Sequence, residues 1–233
     1  MSESKEKQYQ FMVELQQSLG PVPMSIRAST MYRIDPKLLV FTLSRHKFVA
    51  KMLSGYGRVV EMGCGDAFAS RLIQVEVDEL HAIDFDPVFV EDARKRLSIE
   101  RQKEKPITLA VHDLLSGPYL AGGAFDAAYS LDVIEHIPEA QEDMYLTNIC
   151  QSLKPGGVFI CGTPSLESQP YASPPSKEGH INCKSGNDLK KLLLKYFDHA
   201  FLFGMNDEVL HTGYAPMCHY LFVVAVGNRA AKK

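Results

Sequence analysis

The stretch Val59-Val60-Glu61-Met62-Gly63-Cys64-Gly65-Asp66-Ala67-Phe68 decides how this chain is read. An apolar run ends in an acid and a Gly-x-Gly turn, and the pattern beyond it predicts a helix. Glycine serves where the backbone turns sharply or where a ligand must approach the peptide groups themselves. A turn of this kind after a first strand lies at the carboxyl edge of an open sheet, where ligands bind near the point at which strand order reverses. Nineteen residues after Gly65, the run Leu80-His81-Ala82-Ile83 ends in Asp84, followed by Phe85. That is the distance at which nucleoside sites place an acid to accept hydrogen bonds from ribose hydroxyls.

Outward from this stretch, short apolar runs alternate with amphipathic ones. The pattern predicts strands over 58–62, 80–84, 108–112, 125–131 and 158–162, with helices over 67–75, 88–99 and 140–153 between them. Such a series implies a parallel sheet covered on both faces. Upstream, helical stretches over 8–19 and 36–53 are separated by the breaker Gly20-Pro21-Val22-Pro23, so residues 1–55 read as an N-terminal helical cap and residues 56–233 as the main domain. Downstream, the Ser- and Pro-rich 165–176 reads as a loop and about 187–196 as a helix. The apolar runs 200–203 and 220–226 read as two strands that close the sheet as a hairpin, with the polar 204–219 between them.

Composition narrows the function classes. The 233 residues are 45% apolar and 23% charged, ordinary values for a folded domain. A formal charge of −3 leaves no excess of basic residues for a phosphate backbone, so nucleic acid is not expected as a partner. The longest apolar run falls well short of the roughly 20 residues a spanning helix needs, and the polar first ten residues do not resemble a secretory signal, so a cytoplasmic location without integral membrane contact is expected. Five scattered cysteines contain no Cys-x-x-Cys pair and read as reduced thiols, with no metal site implied.

The identity of the nucleoside follows from charge. A dinucleotide turn holds a pyrophosphate at a helix N-terminus, whereas here Glu61 precedes the turn and Asp66 follows it. Two carboxylates repel a pyrophosphate and suit a ligand with a positive end, such as the amino group and sulfonium of S-adenosylmethionine.

Four motifs in order, Glu61-Met62-Gly63-Cys64-Gly65, Asp84, His112-Asp113-Leu114-Leu115, and Phe125-Asp126 through Asp132-Val133-Ile134-Glu135-His136-Ile137, resemble the class I S-adenosylmethionine-dependent methyltransferases. The branch most similar contains the ubiquinone-biosynthesis O-methyltransferases and the small-molecule or sugar methyltransferases of surface-polysaccharide pathways. The resemblance implies a Rossmann-like α/β three-layer sandwich around a seven-stranded mixed sheet whose last strand is antiparallel. It also implies S-adenosylmethionine as donor, with S-adenosylhomocysteine as product. By the same resemblance, Gly63 and Gly65 lie under the methionine part, Asp84 holds the ribose, Asp113 with Leu114 meets the adenine, residues around Leu131 and Asp132 flank the sulfonium, and Glu61, Cys64 and Phe85 also belong to the cofactor-binding set. Ala67 departs from the pattern, since many relatives carry a third glycine there.

Methyl transfer from a sulfonium is an in-line displacement in which alignment and exclusion of water do most of the work. A hydroxyl acceptor benefits from a base near its proton. His136, following the fourth strand, and His180, after the Ser/Pro loop, are the candidates; the alternative for His136 is that it only fastens its loop. Arg45 is the candidate to pair with the donor carboxylate. The function expected is methyl transfer to an oxygen of a small-molecule acceptor. The alternatives are transfer to nitrogen or to a phosphate-type oxygen by positioning alone, and a non-catalytic S-adenosylmethionine-binding module.

Overall fold

The computed structural model describes residues 4–99 and 105–229. Its centre is one eight-stranded sheet in the order β3-β2-β1-β4-β5-β8-β6-β7. β1 (Arg58–Met62), β2 (Glu79–Asp84), β3 (Ile107–Val111), β4 (Phe125–Leu131) and β5 (Leu153–Pro164) run parallel. β8 (Tyr220–Asn228) is antiparallel to β5, β6 (Phe197–Asn206) is antiparallel to β8, and β7 (Val209–His211) is antiparallel to β6. β1 pairs with β2 on one side and β4 on the other, through Val60↔His81 and Val60↔Ala128, so strand order reverses between β1 and β4.

The period of two in the strands sorts side chains onto two faces. On one, Val60, Ala128, Phe159, Leu221 and Val223 pack with Tyr145, Leu146 and Ile149 of α6 (Glu142–Ser152) and with Leu189, Leu192 and Leu193 of α8 (Gly186–Leu193). On the other, Val59, Ala127, Tyr129, Ile160 and Phe222 meet Val49, Ala50 and Leu53, the first two on α3 (Pro36–Met52) and the third at its C-terminal end, and Ile73 of the short α4 (Arg71–Gln74). α3 starts where it does because Asp35 caps it, accepting from the Lys37 N–H at 3.1 Å, with Pro36 in its first turn. α1 (Gln10–Leu19), by contrast, has no buried residue. No helix among the described residues is long and apolar enough to cross a membrane.

Four elements differ from the sequence reading. The sheet has eight strands, not seven: the extra β7 is three residues long, forms from the polar stretch after β6, and follows a turn at Asp207 with φ +51°, so no apolar alternation announces it. The helix expected over 67–75 shrinks to α4, because Ala67 adopts φ +51° and interrupts any helix through it. α2 (Ile26–Ile34) was not expected; Ser25 caps it, its hydroxyl accepting from the Ala28 N–H at 3.2 Å. The Ser/Pro loop is ordered into a 3₁₀ turn, Leu166–Tyr171, and α7 (Pro174–Gly179), each started by a serine whose side chain accepts from a backbone N–H three residues on. α5 (Pro87–Ile99) follows β2 as expected.

Candidate active site

At the carboxyl end of β1 the chain makes the glycine turn. The N–H groups of Gly63 and Cys64 both donate to the Ile83 carbonyl, at 2.8 and 2.9 Å, which fastens the turn to the end of β2. Gly63 has φ +84°, and a Cβ there would come within 2.3 Å of Val133 Cγ2. Gly65 has φ +53°, and its Cβ position lies 2.6 Å from Arg27 Nη1. Both positions therefore favour glycine for backbone conformation, and Gly63 also for space, whereas at Gly65 the neighbouring atom is the movable end of the Arg27 side chain. The buried Asp84 spans the turn: Oδ2 accepts from the Gly65 N–H at 2.7 Å and Oδ1 from the Asp86 N–H at 2.9 Å. An ionised carboxylate offers about four lone-pair sites, so capacity remains for hydroxyl groups of a ligand. Asp113 closes the next turn in the same way, Oδ1 accepting from the Leu115 N–H at 2.8 Å.

These residues line a cleft of about 580 Å³, within the usual size of small-molecule sites. Gly63, Gly65, Asp84, Phe85 and Asp113 line one side; Asp132, Val133 and His136 line the other wall. A smaller adjoining recess of about 50 Å³ shares Gly63, Asp84, Phe85 and Asp113 and adds Leu114 and Tyr145. Phe85 is 73% exposed and presents a ring to the opening.

Four residues expected at the ligand lie elsewhere. Glu61 is buried beneath the turn, where its carboxylate meets His46 Nε2 at 3.2 Å and accepts a short hydrogen bond from the Ser70 hydroxyl, and it does not line the cleft. Strand alternation explains this: the same pleat that sends Val59 and Ala127 to the α3 face turns Glu61 toward that helix. The Cys64 thiol is also buried, and burial, with the Glu61 charge beside it, pushes it well up from its ordinary value. Of the pair expected around the sulfonium, Asp132 lines the cleft together with Val133, whereas Leu131 belongs to the core. Arg45 pairs with Asp132 at 3.1–3.2 Å and lies 3.9 Å over the Tyr220 ring. Burial works against its charge, yet Asp132 outweighs that and holds the guanidinium above its ordinary value.

The arginine that does line the cleft is Arg27. It is carried there by α2, whose start is docked by two carboxylates: Asp92 accepts from the Ile26 N–H at 3.2 Å and Asp66 from the Arg27 N–H at 2.7 Å. Asp66 thus serves the backbone of α2. The local signal was Ser25 three residues before Ala28, a helix-start pattern in an otherwise unremarkable stretch.

On the opposite wall, Asp132 has φ +57°, with its N–H donating to the Gly162 carbonyl at 3.0 Å. The 3₁₀ turn Ile134–His136 follows. Glu135 is fully buried; Oε2 accepts from the Thr163 hydroxyl at 3.0 Å, while Oε1 has no partner. Burial, together with the Asp132 charge, pushes its carboxyl up to about 8. His136 Nδ1 lies 2.8 Å from the Gly179 carbonyl, and His180 Nδ1 lies 2.9 Å from Gln169 Oε1. The two rings are 5.2 Å apart in an edge-on arrangement. Burial and the neighbouring His136 pull the His180 imidazole below its ordinary value. The segment 165–182 is tied down here, since the Asn182 N–H donates to the Glu135 carbonyl at 2.9 Å. His211, Tyr214 and His219 do not line the cleft.

Comparison with known proteins agrees with this geometry. Residues 59–157 match the family model described as a methyltransferase domain. A protein of Mycolicibacterium smegmatis named as a probable S-adenosylmethionine-dependent methyltransferase is 27% identical over 64% of this chain and 56% of its own length. The ribosomal protein L11 methyltransferase of Carboxydothermus hydrogenoformans is 35% identical over 60% of this chain and 45% of its own. The chain thus spans about half the length of these curated relatives. Among solved structures, the N-methyltransferase NodS of Bradyrhizobium japonicum in complex with S-adenosylhomocysteine superposes with a TM-score of 0.60, at 16% identity, over 92% of this chain and 97% of that one. Residues 59–157 thus resemble a methyltransferase domain, and the glycine turn, Asp84 and Asp113 lie inside the matched segment.

Proposed function

We propose that this protein transfers the methyl group of S-adenosylmethionine to an oxygen of a small-molecule acceptor, such as a sugar, a glycan precursor or a similar metabolite. The observation that carries the reading is the cleft itself: a donor side of Gly63, Gly65, Asp84 and Asp113 faces a wall bearing His136, with His180 beside it. In this reading the glycine turn lies under the methionine moiety, and Arg27 meets its carboxylate. Asp84 takes the ribose hydroxyls, and Asp113 with Leu114 holds the adenine. The acceptor oxygen forms a bond to the methyl carbon as the carbon–sulfur bond breaks; the electron pair stays on sulfur and gives S-adenosylhomocysteine. The hydroxyl proton passes to an imidazole on the opposite wall. Two histidines at this wall favour an oxygen acceptor, since a neutral amine needs no base before attack.

Calorimetric titration with S-adenosylmethionine and S-adenosylhomocysteine tests the donor half. Micromolar binding is expected for the wild type. Asp84→Asn keeps an acceptor for the turn but loses the charge; at about 1.5 kcal/mol for each of two charged hydrogen bonds to ribose, affinity should fall about 100-fold. A well-folded wild type that binds neither compound refutes the reading.

A further inference from the structure

The acceptor wall holds a second constellation. Glu135, His136 and His180 each present one ligand-type atom, and the three atoms lie within 4.8 Å of one another. We propose that these three side chains bind one divalent first-row transition cation, of the Mn²⁺, Fe²⁺ or Zn²⁺ kind, at the mouth of the cleft.

Three features carry the assignment. First, Glu135 Oε1 is buried without a hydrogen-bond partner, a costly arrangement unless something occupies the space it faces. Second, both imidazoles are fixed in the manner of metal ligands. His136 Nδ1 sits against the Gly179 carbonyl and His180 Nδ1 against the Gln169 side-chain oxygen, at 2.8 and 2.9 Å. An oxygen acceptor at Nδ1 places the proton there and leaves the Nε2 lone pair free, which is how outer-shell carbonyls orient ligating histidines. Third, the site is anchored on one side and adjustable on the other: Glu135 is buried, whereas His136 is exposed and His180 half-buried. Bonds of about 2.0–2.2 Å space neighbouring ligands about 3–3.6 Å apart, a closure that small rotations of the two imidazoles can supply.

Two nitrogens and one carboxylate oxygen suit a first-row transition cation better than Mg²⁺ or Ca²⁺, which prefer all-oxygen sets. Three protein ligands leave positions open, and His136 also lines the cleft, so those positions are close to where an acceptor would lie. The role of the cation in turnover rests on the methyltransferase reading: an acceptor hydroxyl bound to it gives up its proton to solvent more readily, and its oxygen then attacks the methyl carbon. With the cation bound, the imidazoles serve as its ligands and the hydroxyl proton leaves to solvent; without it, an imidazole takes that proton, as in the reading above. Cation binding itself rests only on the geometry.

The test uses full-length protein freed of metal by a chelator, without donor or acceptor, titrated with MnCl₂ and followed by the loss of the free Mn²⁺ signal in electron paramagnetic resonance. One Mn²⁺ per chain is expected at micromolar concentrations. His136→Ala and His180→Ala should each weaken binding by about 100-fold or more, and Gln169→Ala by about 10-fold through loss of the partner that orients His180. Glu135→Gln should also abolish binding; because Glu135 is buried, the partly exposed His180 variant carries the result if that protein fails to fold. Absence of binding below millimolar Mn²⁺ overturns the proposal, as does undiminished binding in the His136→Ala/His180→Ala double variant. Donor titration on the same samples is independent, so failure of the cation site and failure of the methyltransferase reading are told apart.

Discussion

Replacing Gly63 by alanine would strain the turn in two separable ways. Its φ of +84° is a conformation that costs a residue with a Cβ about 1 kcal/mol. Its new Cβ would also stand 2.3 Å from Val133 Cγ2, against about 3.5–4.0 Å for carbon atoms in contact. Crowding of this kind costs about 1–3 kcal/mol once neighbours shift. Gly63→Ala should therefore destabilise the protein by about 2–4 kcal/mol, and lower the melting temperature by about 4–16 °C for a chain of this size. Only the second part depends on Val133. In Gly63→Ala/Val133→Ala the overlapping methyl is gone, so the double variant should be more stable than the sum of the single changes predicts, by about 1–3 kcal/mol. Urea denaturation of the four proteins measures this coupling. A Gly63→Ala protein within about 0.5 kcal/mol of wild type, or a coupling of zero, would refute the placement of the turn against Val133. Since Gly63 and Val133 both line the cleft, the same cycle read by donor titration reports whether the turn's shape matters for the ligand.

Two further outcomes follow from the packing and the charges. Leu53, at the end of α3, is fully buried against the β1 face, so Leu53→Ala should cost about 2–5 kcal/mol in chemical denaturation; a loss under about 1 kcal/mol would mean that α3 is not part of the core. The Asp126 carboxyl is raised by burial, but Lys154 at 2.6 Å and the Arg58 N–H at 2.8 Å outweigh that and hold it below its ordinary value. Its contribution to stability is therefore present above the unfolded-state value and lost as pH falls through the lower folded one. Asp126→Asn should flatten the acid limb of the stability–pH profile below about pH 4, and an unchanged limb would show that the Lys154 contact is too solvated to matter.

Much of this architecture was legible because its signals are local. The strand, glycine turn and following acid over 59–84 state a backbone geometry that few other residues can adopt, and β1 to β5 show apolar runs of strand length. Asp84, Gly63, Gly65, Phe85 and Asp113 come together in the cleft because each follows a parallel strand, and parallel pairing brings those ends to one edge. Alternation along such strands is weak when both faces are buried. For that reason the sequence could not say that Glu61 turns beneath the sheet toward His46, or that Leu131, unlike Asp132 beside it, stays in the core.

What the sequence determined alone is the strand–turn–acid frame on one side of the cleft, since residue type and short spacing suffice where the backbone itself makes the wall. The tertiary structure decided which charged and titratable side chains surround that frame. Arg27 reaches the turn through a helix docked on Asp66 and Asp92, 39 and 66 residues away in the chain, while Arg45 is held on Asp132. His180 meets His136 only because the segment after β5 folds back across β4, with the Asn182 N–H bonded to the Glu135 carbonyl. Contacts between residues so far apart in sequence leave no periodicity or spacing to read, because the burial and pairing of intervening elements set their geometry.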